Sequence, residues 1–557
     1  MSLVSQEKAP IPAETERVAK ASFPKGTPLI GLRDELGPLF EDEEFSDLYS
    51  WKGAEGISPT YLATVTVLQY AEGLSDRQAA DAVRSRIDWK YLLGVPLDYA
   101  GFDFSILSEF RSRLIAADEA ERLFEKPLAQ MKAVGAVRER GRQRSDSTHV
   151  LAAIATLNRI ELVGETLRQA LNHIAIVAPD WLLSWAPTEW YERYEERIEQ
   201  AKLPQGKQAQ EALAQSIGQD GFTLLAAVAH PDTPAYLQTV PAVEILQTVW
   251  AQQFMQVQDN DSDSGTQVAW RPAEAMPPGE EIINSPYDPA ARFSRKRNTT
   301  WVGYKVHLTE SCDEERPHLI THVETTTATE PDCQTLATIH EALAEKELLP
   351  AEHLVDSGYI DVENVLDSQQ QEVELVGPMR PDSSWQSREK TGYDIAHFVV
   401  DWQAETVTCP QGHSSHVWSH STNKEDVESI TVRFHPDDCT TCPVRELCTR
   451  SKSGPRGLRL QTQEKHETLQ QARQHQKSDA FWDRYQTRAG IEGTISQTTR
   501  AFGLRRTRYI GDDKTRLQHL ATATALNISR LANWLLNLPR AKTRVSPFAE
   551  LTTALSC

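Results

Sequence analysis

The chemistry of this chain is first visible at Tyr485, Arg488 and Glu492, which stand at i, i+3 and i+7. On a helix of 3.6 residues per turn these positions share one face. A phenol, a guanidinium and a carboxylate on one face suit a metal-bound phosphodiester. The carboxylate holds a divalent cation and the arginine meets phosphate. The same residues also fit a plain surface helix with one Arg–Glu pair. Two more carboxylates have a comparable setting. Asp146 lies in Arg144-Ser-Asp-Ser-Thr-His-Val150, and Asp356 closes the apolar segment His353-Leu-Val-Asp, with Gly358 and Tyr359 behind it. Strand ends are where open α/β sheets place ligand groups. Singly, each aspartate also fits an Asx turn or a helix N-cap.

Charge supports the chemical reading. The chain carries a formal net charge of −21, so it has no global field to draw in nucleic acid. Its positive charge is concentrated. Between Arg484 and Arg516 eight bases face three acids; Arg292 to Lys305 holds five bases and no acid; Arg138 to Arg144 holds four bases and one acid. Two of these runs adjoin a candidate carboxylate, although a charge run is usually a solvated face.

Three acids in this setting, with their flanking motifs, resemble a bacterial insertion-sequence transposase of the DDE class. The matching pieces are Ser-Asp146-Ser-Thr, Val-Asp356-Ser-Gly-Tyr and Tyr485-x-x-Arg488-x-x-x-Glu492. Similar pieces are Ser285-Pro-Tyr-Asp288, Trp301-Val-Gly-Tyr-Lys305-Val-His307, Glu324 through Asp332, Arg505-Arg-Thr-Arg508-Tyr-Ile-Gly511 and Asn527-Ile-Ser-Arg530. Phe104 to Leu114 resembles the helical N-terminal domain of these enzymes. The likeness covers roughly residues 30 to 540. It departs at one point: where the family signature continues with a lysine seven residues after the glutamate, Thr499 stands here, and Arg500 is about 100° further round a helix.

The resemblance implies an α/β fold: a ribonuclease-H-like mixed sheet with a helical N-terminal domain, a helical insertion and a small Cys-containing β-rich insertion. It implies that Asp146, Asp356 and Glu492 are catalytic and hold two Mg²⁺ (or Mn²⁺) ions, which activate a water and stabilise the leaving oxygen. Expected DNA contacts are Tyr485, Arg488, Arg505, Arg506, Arg508, Arg295, Lys296, Arg297 and Lys305. Implied partners are terminal inverted repeats, target DNA and a second protomer in the synaptic complex. Three other readings stand beside it: an inactive DNA-binding descendant, a metal-dependent nuclease of the same fold, and a zinc-stabilised scaffold without chemistry.

The elements that must position these residues follow from length and pattern. At 557 residues three or four structural units are expected. Residues 1–28 read as a mobile leader and 29–136 as a helical DNA-binding domain, with Leu74 to Ala80 opening either a helix-turn-helix or an ordinary bundle helix. Residues 137–152 hold the first catalytic strand, 153–256 a helical insertion whose tryptophans read as core, and 257–292 a linker. In that linker Asp259 to Gly265 is no calcium loop, because Trp270 stands where the bidentate Glu belongs. Residues 293–385 and 479–540 form the catalytic core, with strands from 299 and 318, a helix near 334–347, strands at Asp356 and Val373, and helices over 479–498 and 514–537. Residues 541–557 are a tail. No apolar run approaches 18 residues and the start lacks a signal pattern, so a cytoplasmic protein without membrane contact is expected.

Residues 386–478 hold four of the seven cysteines. Cys409-Pro-Gln-Gly-His413, Cys439-Thr-Thr-Cys442 and Cys448 have spacing that clasps zinc, with His413 as a reserve ligand. The alternative is four reduced thiols in a small β-rich subdomain, since disulfides are rare in a cytosolic chain.

Overall fold

The structure is a computed structural model; it describes residues 10–538 apart from 51, 54, 55, 259–265 and 424–426. The expected tail, the Asp259–Gly265 segment and residues 1–9 of the leader lie outside the described residues.

A six-stranded mixed sheet organises the molecule. Its strands are β1 (Arg142–Leu151), β2 (Arg292–Lys296), β3 (Thr299–Ser311), β4 (Ile320–Thr327), β5 (Glu352–Leu354) and β6 (Glu374–Val376). The hydrogen-bonded path runs β2-β3-β1-β5-β6, with β4 also paired to β3. β1 runs antiparallel to β3, pairing Asp146 with Leu308, and parallel to β5, pairing Arg144 with Leu354. β4 is antiparallel to β3, and β6 is parallel to β5.

β1 is central and buried from Gln143 to Thr148, yet its sequence is polar. Buried polar groups require partners, and β1 finds them across the fold. Gln143 Nε2 donates to the Leu348 carbonyl at 2.6 Å, and Ser145 Oγ lies 2.7 Å from His353 Nε2 and 2.6 Å from Thr309 Oγ1. Gly303, at φ +153°, lets β3 close against the end of β1; a Cβ there would overlap the Val150 carbonyl.

One hydrophobic core joins the sheet to the N-terminal helices. The helix Asp512–Leu535 lies between them, with Leu517, Leu520, Leu526 and Leu531 in the same cluster as Phe110, Leu62, Leu308 and Ile320. Residues 13–22, expected within a mobile leader, form a helix instead. Thr15 and Ala19 are buried, and Thr15 Oγ1 donates to the Val95 carbonyl at 2.9 Å. That burial is what orders a Pro- and Glu-rich segment.

The insertion after β1 is helical, with long helices Arg159–Val177, Lys207–Ala229 and Pro241–Gln253, and has its own core around Trp190, Leu224 and Trp250. Trp181, Trp185, Trp190 and Tyr194 meet edge to face. Part of the expected linker is a strand, Thr266–Trp270, paired with Phe254–Gln258. The cysteine-containing insertion is built on a three-stranded antiparallel sheet, Val417–Thr422, Glu428–Arg433 and Gly457–Leu460. Helix Gln463–His475, expected within that insertion, reaches the core: Lys465 pairs with Glu363 at 2.5 Å.

Candidate active site

The Tyr485–Glu492 stretch is not one continuous helix. Asp479–Tyr485 is α-helical, Gln486–Ala489 is a 3₁₀ turn, and Gly490–Phe502 is α-helical again. A 3₁₀ turn winds at three residues per turn, so the expected common face is broken there. Tyr485 stacks on Phe481 with ring centroids 5.9 Å apart. Arg488 turns inward and is buried, while the Glu492 side chain is 62% exposed.

The three acids meet around Arg488. Its Nη2 is 2.7 Å from Asp146 Oδ2 and 3.9 Å from Asp356 Oδ2, and its Nη1 is 2.7 Å from Glu492 Oε1. Asp146 comes from the middle of β1. Asp356 follows β5 in a turn closed by the Gly358 N–H, which donates to Asp356 Oδ1 at 2.7 Å; the Asx turn and the candidate ligand are the same residue. Burial pushes the Asp146 carboxyl up to about 6, against the Arg488 guanidinium, and the Asp356 charge adds to the rise.

A fourth carboxylate, Asp332, adjoins the cluster. Its Oδ2 accepts from Ser147 Oγ at 3.1 Å and its Oδ1 from Lys305 Nζ at 2.9 Å. Burial opposes its charge, but Lys305 holds the carboxyl below its ordinary range. Gly358 separates the two aspartates; a Cβ there would stand 2.8 Å from Asp356 Oδ1 and 3.2 Å from Asp332 Oδ2.

An open cavity of about 400 Å³ runs from Asp146 along the Glu492 helix. It is lined by Asp146, Ser147, Thr148 and Glu492, then by Ile495, Ser496, Thr499, Arg500 and Arg505.

The expected DNA-contacting bases separate into three groups. Arg505 lines the cavity and donates from Nε to Thr148 Oγ1 at 2.8 Å. Arg506 is exposed beside the end of β1, and Arg295 and Arg297 are exposed around the β2–β3 turn, with Lys296 Nζ 4.0 Å from Asp332. Lys305 and Arg508 are engaged within the protein. Lys305 is bound to Asp332 and the Glu330 carbonyl; Arg508 Nη1 donates to the Leu74 carbonyl at 2.9 Å and its guanidinium covers the Tyr70 ring.

Two members of the third basic run, Arg142 and Arg144, are neutralised, while Arg138 and Arg140 are exposed. Arg142 pairs with Glu352 at 2.8 Å, and Arg144 with the fully buried Glu310 at 2.6 Å. Glu310 also takes Arg530 Nη1 and Thr494 Oγ1, each at 2.7 Å. Sequence reasoning missed Glu310 and the role of Asp332. Glu310 sits in an alternating strand with no local mark of its function; Asp332 was visible only as the end of a family-like segment.

Among the described residues no group of three or more His, Cys, Asp or Glu is arranged to hold a metal ion. At the acid cluster the donor chemistry nonetheless fits one. The oxygens are hard ligands of the kind Mg²⁺ and Mn²⁺ take, a positive charge already stands among them, and Glu492 is exposed enough to swing. The four cysteines are free thiols around one cavity of about 30 Å³, together with His413 and Asp438. The Cys409 knuckle is formed: Gly412 N–H donates to the Cys409 carbonyl at 2.8 Å, and Cys409 N–H to the His413 carbonyl at 2.9 Å.

Comparison with known families gives two matches. Residues 17–113 match the model of a transposase domain, DUF772, and residues 408–532 match that of a transposase DDE domain. The second span includes Glu492 and the four clustered cysteines; Asp146 and Asp356 lie outside it. No curated protein matches the chain.

Proposed function

We infer that this chain, which its two transposase matches indicate to be an insertion-sequence transposase of the DDE class, cuts and joins DNA at the cluster of Asp146, Asp356 and Glu492. The observation that carries the reading is Arg488, whose guanidinium reaches three carboxylates drawn from β1, the β5 turn and the Gly490–Phe502 helix. The strand order β4-β3-β1-β5-β6, with β1, β3 and β4 antiparallel and β5 and β6 parallel to β1, supports a ribonuclease-H-like core.

Asp146, Asp356 and Glu492 would hold Mg²⁺ or Mn²⁺, which when bound polarises the scissile phosphate and lowers the pKa of the attacking hydroxyl. Arg488, no longer needed to neutralise the acids, is then free to meet a phosphate oxygen. Water attacks phosphorus and breaks its bond to the 3′ oxygen, leaving a 3′-hydroxyl on the element end. That hydroxyl attacks a target phosphate, forms a new P–O bond and releases a target 3′-hydroxyl. Asp332 keeps Lys305 beside this centre. Two ends brought together call for two protomers.

Binding of terminal repeats by residues 29–136 is supported by the match over 17–113. Among the described residues no helix is long and apolar enough to cross a membrane. The cysteines around one cavity support a structural zinc, held by Cys409, Cys439, Cys442 and Cys448 after the sulfurs close inward.

The direct test incubates the full chain with DNA flanking its gene and Mg²⁺, and maps the nicks. Cuts at the element ends are expected; magnesium-independent cutting, or none, would refute the reading. A pre-cut end that is hydrolysed but never joined would instead identify a nuclease.

A further inference from the structure

Asp146 and Asp356 reach the acid cluster from two different strands. Mg²⁺ accepts only a narrow range of oxygen distances, so the spacing between the two aspartates must be set by something. Ser147 is placed to take part. Its N–H donates to Asp146 Oδ1 at 2.8 Å, and its Oγ donates to Asp332 Oδ2 at 3.1 Å. Ser147 thus orients Asp146 with one group and is held by Asp332 through the other. Asp332 Oδ1 in turn accepts from Lys305 Nζ at 2.9 Å, and the same ammonium donates to the Glu330 carbonyl. The Lys305 side chain is 14% exposed, and its charge is spent within the protein. A buried ion pair is weak evidence for stability, and one use of such a pair is to fix a geometry.

The same aspartate is joined to the Asp356 turn. Asn364, in the helix Val362–Gln370, donates from Nδ2 to the Cys333 carbonyl at 2.8 Å and to the Tyr359 carbonyl at 2.9 Å. One amide therefore bridges the residue after Asp332 and the turn after Asp356. The Asn364 N–H donates to Asp361 Oδ1 at 2.8 Å, which caps that helix and fixes the bridge. Tyr359 is fully buried, and its hydroxyl lies 2.6 Å from Nδ1 of His307, which stands on β3 opposite Ser147. Gly358 completes the joint. Asp356 Oδ1 and Asp332 Oδ2 are 2.8 and 3.2 Å from the point that a Cβ would occupy there, so the two carboxylates approach each other over a residue without a side chain.

We propose that Asp332, paired with Lys305, is a positioning residue for the metal centre: through Ser147 and the Asn364 bridge it sets the spacing of Asp146 and Asp356, so that the centre meets its cation already in shape. The proposal rests on the transposase reading and deepens it. It also gives Lys305 a task inside the protein in place of the expected DNA contact. Removing a partner that orients a metal ligand costs about 10- to 100-fold in metal affinity.

The test measures Mn²⁺ binding to the full chain by electron paramagnetic resonance, counting the site that Asp146→Asn abolishes. Ser147→Ala removes one hydroxyl and leaves every charge in place; it should weaken Mn²⁺ at that site about tenfold or more. Asp332→Asn and Lys305→Gln should do the same. The double variant Asp332→Asn/Lys305→Gln should lose no more than either single variant, because both act through one link. Its neutral amide pair replaces the ion pair, so its melting temperature in EDTA should stay near that of the wild type. Binding of flanking-element duplex to Lys305→Gln should keep the wild-type salt slope, since this lysine meets no phosphate. Wild-type Mn²⁺ affinity in Ser147→Ala would overturn the proposal, and a loss confined to Asp332→Asn would make Asp332 a ligand instead. A salt slope lower by about one in Lys305→Gln, with Mn²⁺ affinity unchanged, would return Lys305 to the DNA and also overturn it. None of these results touches the transposase reading, which stands or falls separately on whether Glu492→Gln abolishes cutting.

Discussion

The Arg144 guanidinium fills the space above Gly490, so that a Cβ at that glycine would overlap its Nη1, Cζ and Nη2 atoms. From there Arg144 Nη1 donates to the Thr487 carbonyl at 2.6 Å and Nε to Glu310 at 2.7 Å. The strand that carries Asp146 is thereby locked to the turn that carries Arg488 and to the helix that carries Glu492.

Gly490→Ala must displace Arg144 or the helix start. Overpacking of this kind costs about 1–3 kcal/mol, and it separates Asp146 from Glu492. Denaturant titration should show that loss, and nick mapping should show cutting reduced by far more than the stability change explains. A variant that cuts normally would show that the lock is dispensable.

Arg488 supplies the positive charge among three acids. Arg488→Gln leaves them facing one another, so this variant should melt lower than wild type in EDTA and regain more on addition of Mg²⁺. Thermal scans with and without the metal read this. Equal magnesium shifts in both proteins would argue against a cation site at this position.

Acid should weaken the fold through buried histidines. Burial holds His340 down to about 4 and His519 to about 3, whereas the unfolded rings titrate near the ordinary 6.5. Below pH 6.5 the unfolded chain takes up protons that these folded rings refuse. Their contribution is therefore complete above about pH 6.5 and is lost as pH falls toward 4, on the order of 3 kcal/mol each at 1.36 kcal/mol per unit. Melting temperature measured from pH 7.5 to 4.5 should fall, and His519→Leu should fall less steeply. A flat profile would contradict the burial argument.

The cysteine cavity should take up one zinc per chain. Metal analysis of the purified protein should find it, chelation should lower the melting temperature, and Cys442→Ser should lose the metal. Purified chain without stoichiometric zinc would leave four reduced thiols as the correct description.

The N-terminal helices share a core with the sheet through Asp512–Leu535. Truncating residues 1–130 would therefore expose that helix and damage the site itself. End recognition is better examined by surface substitution than by deletion.

Much of the core was legible because its signals are local. Alternation from Thr299 and the apolar run before Asp356 need only near neighbours, and both became strands. The acids Asp146, Asp356 and Glu492 were legible from their own flanking residues. β1 itself was not recognisable as a central strand by pattern, since Arg-Gln-Arg-Ser-Asp-Ser-Thr carries no apolar signal. Its partners Glu310, Leu348 and His353 lie 166, 205 and 208 positions away.

Sequence alone determined which side chains can bind a cation or a phosphate, because that depends on residue type and nearby spacing. Tertiary structure decided which of them are free to do so. It drew Arg144 into a buried pair with Glu310 and Arg508 onto Tyr70 and the Leu74 carbonyl, and left Arg500 in the cavity wall without an ion pair among the described residues. A charged group's availability depends on whether folding brings it a partner, and those partners come from distant parts of the chain.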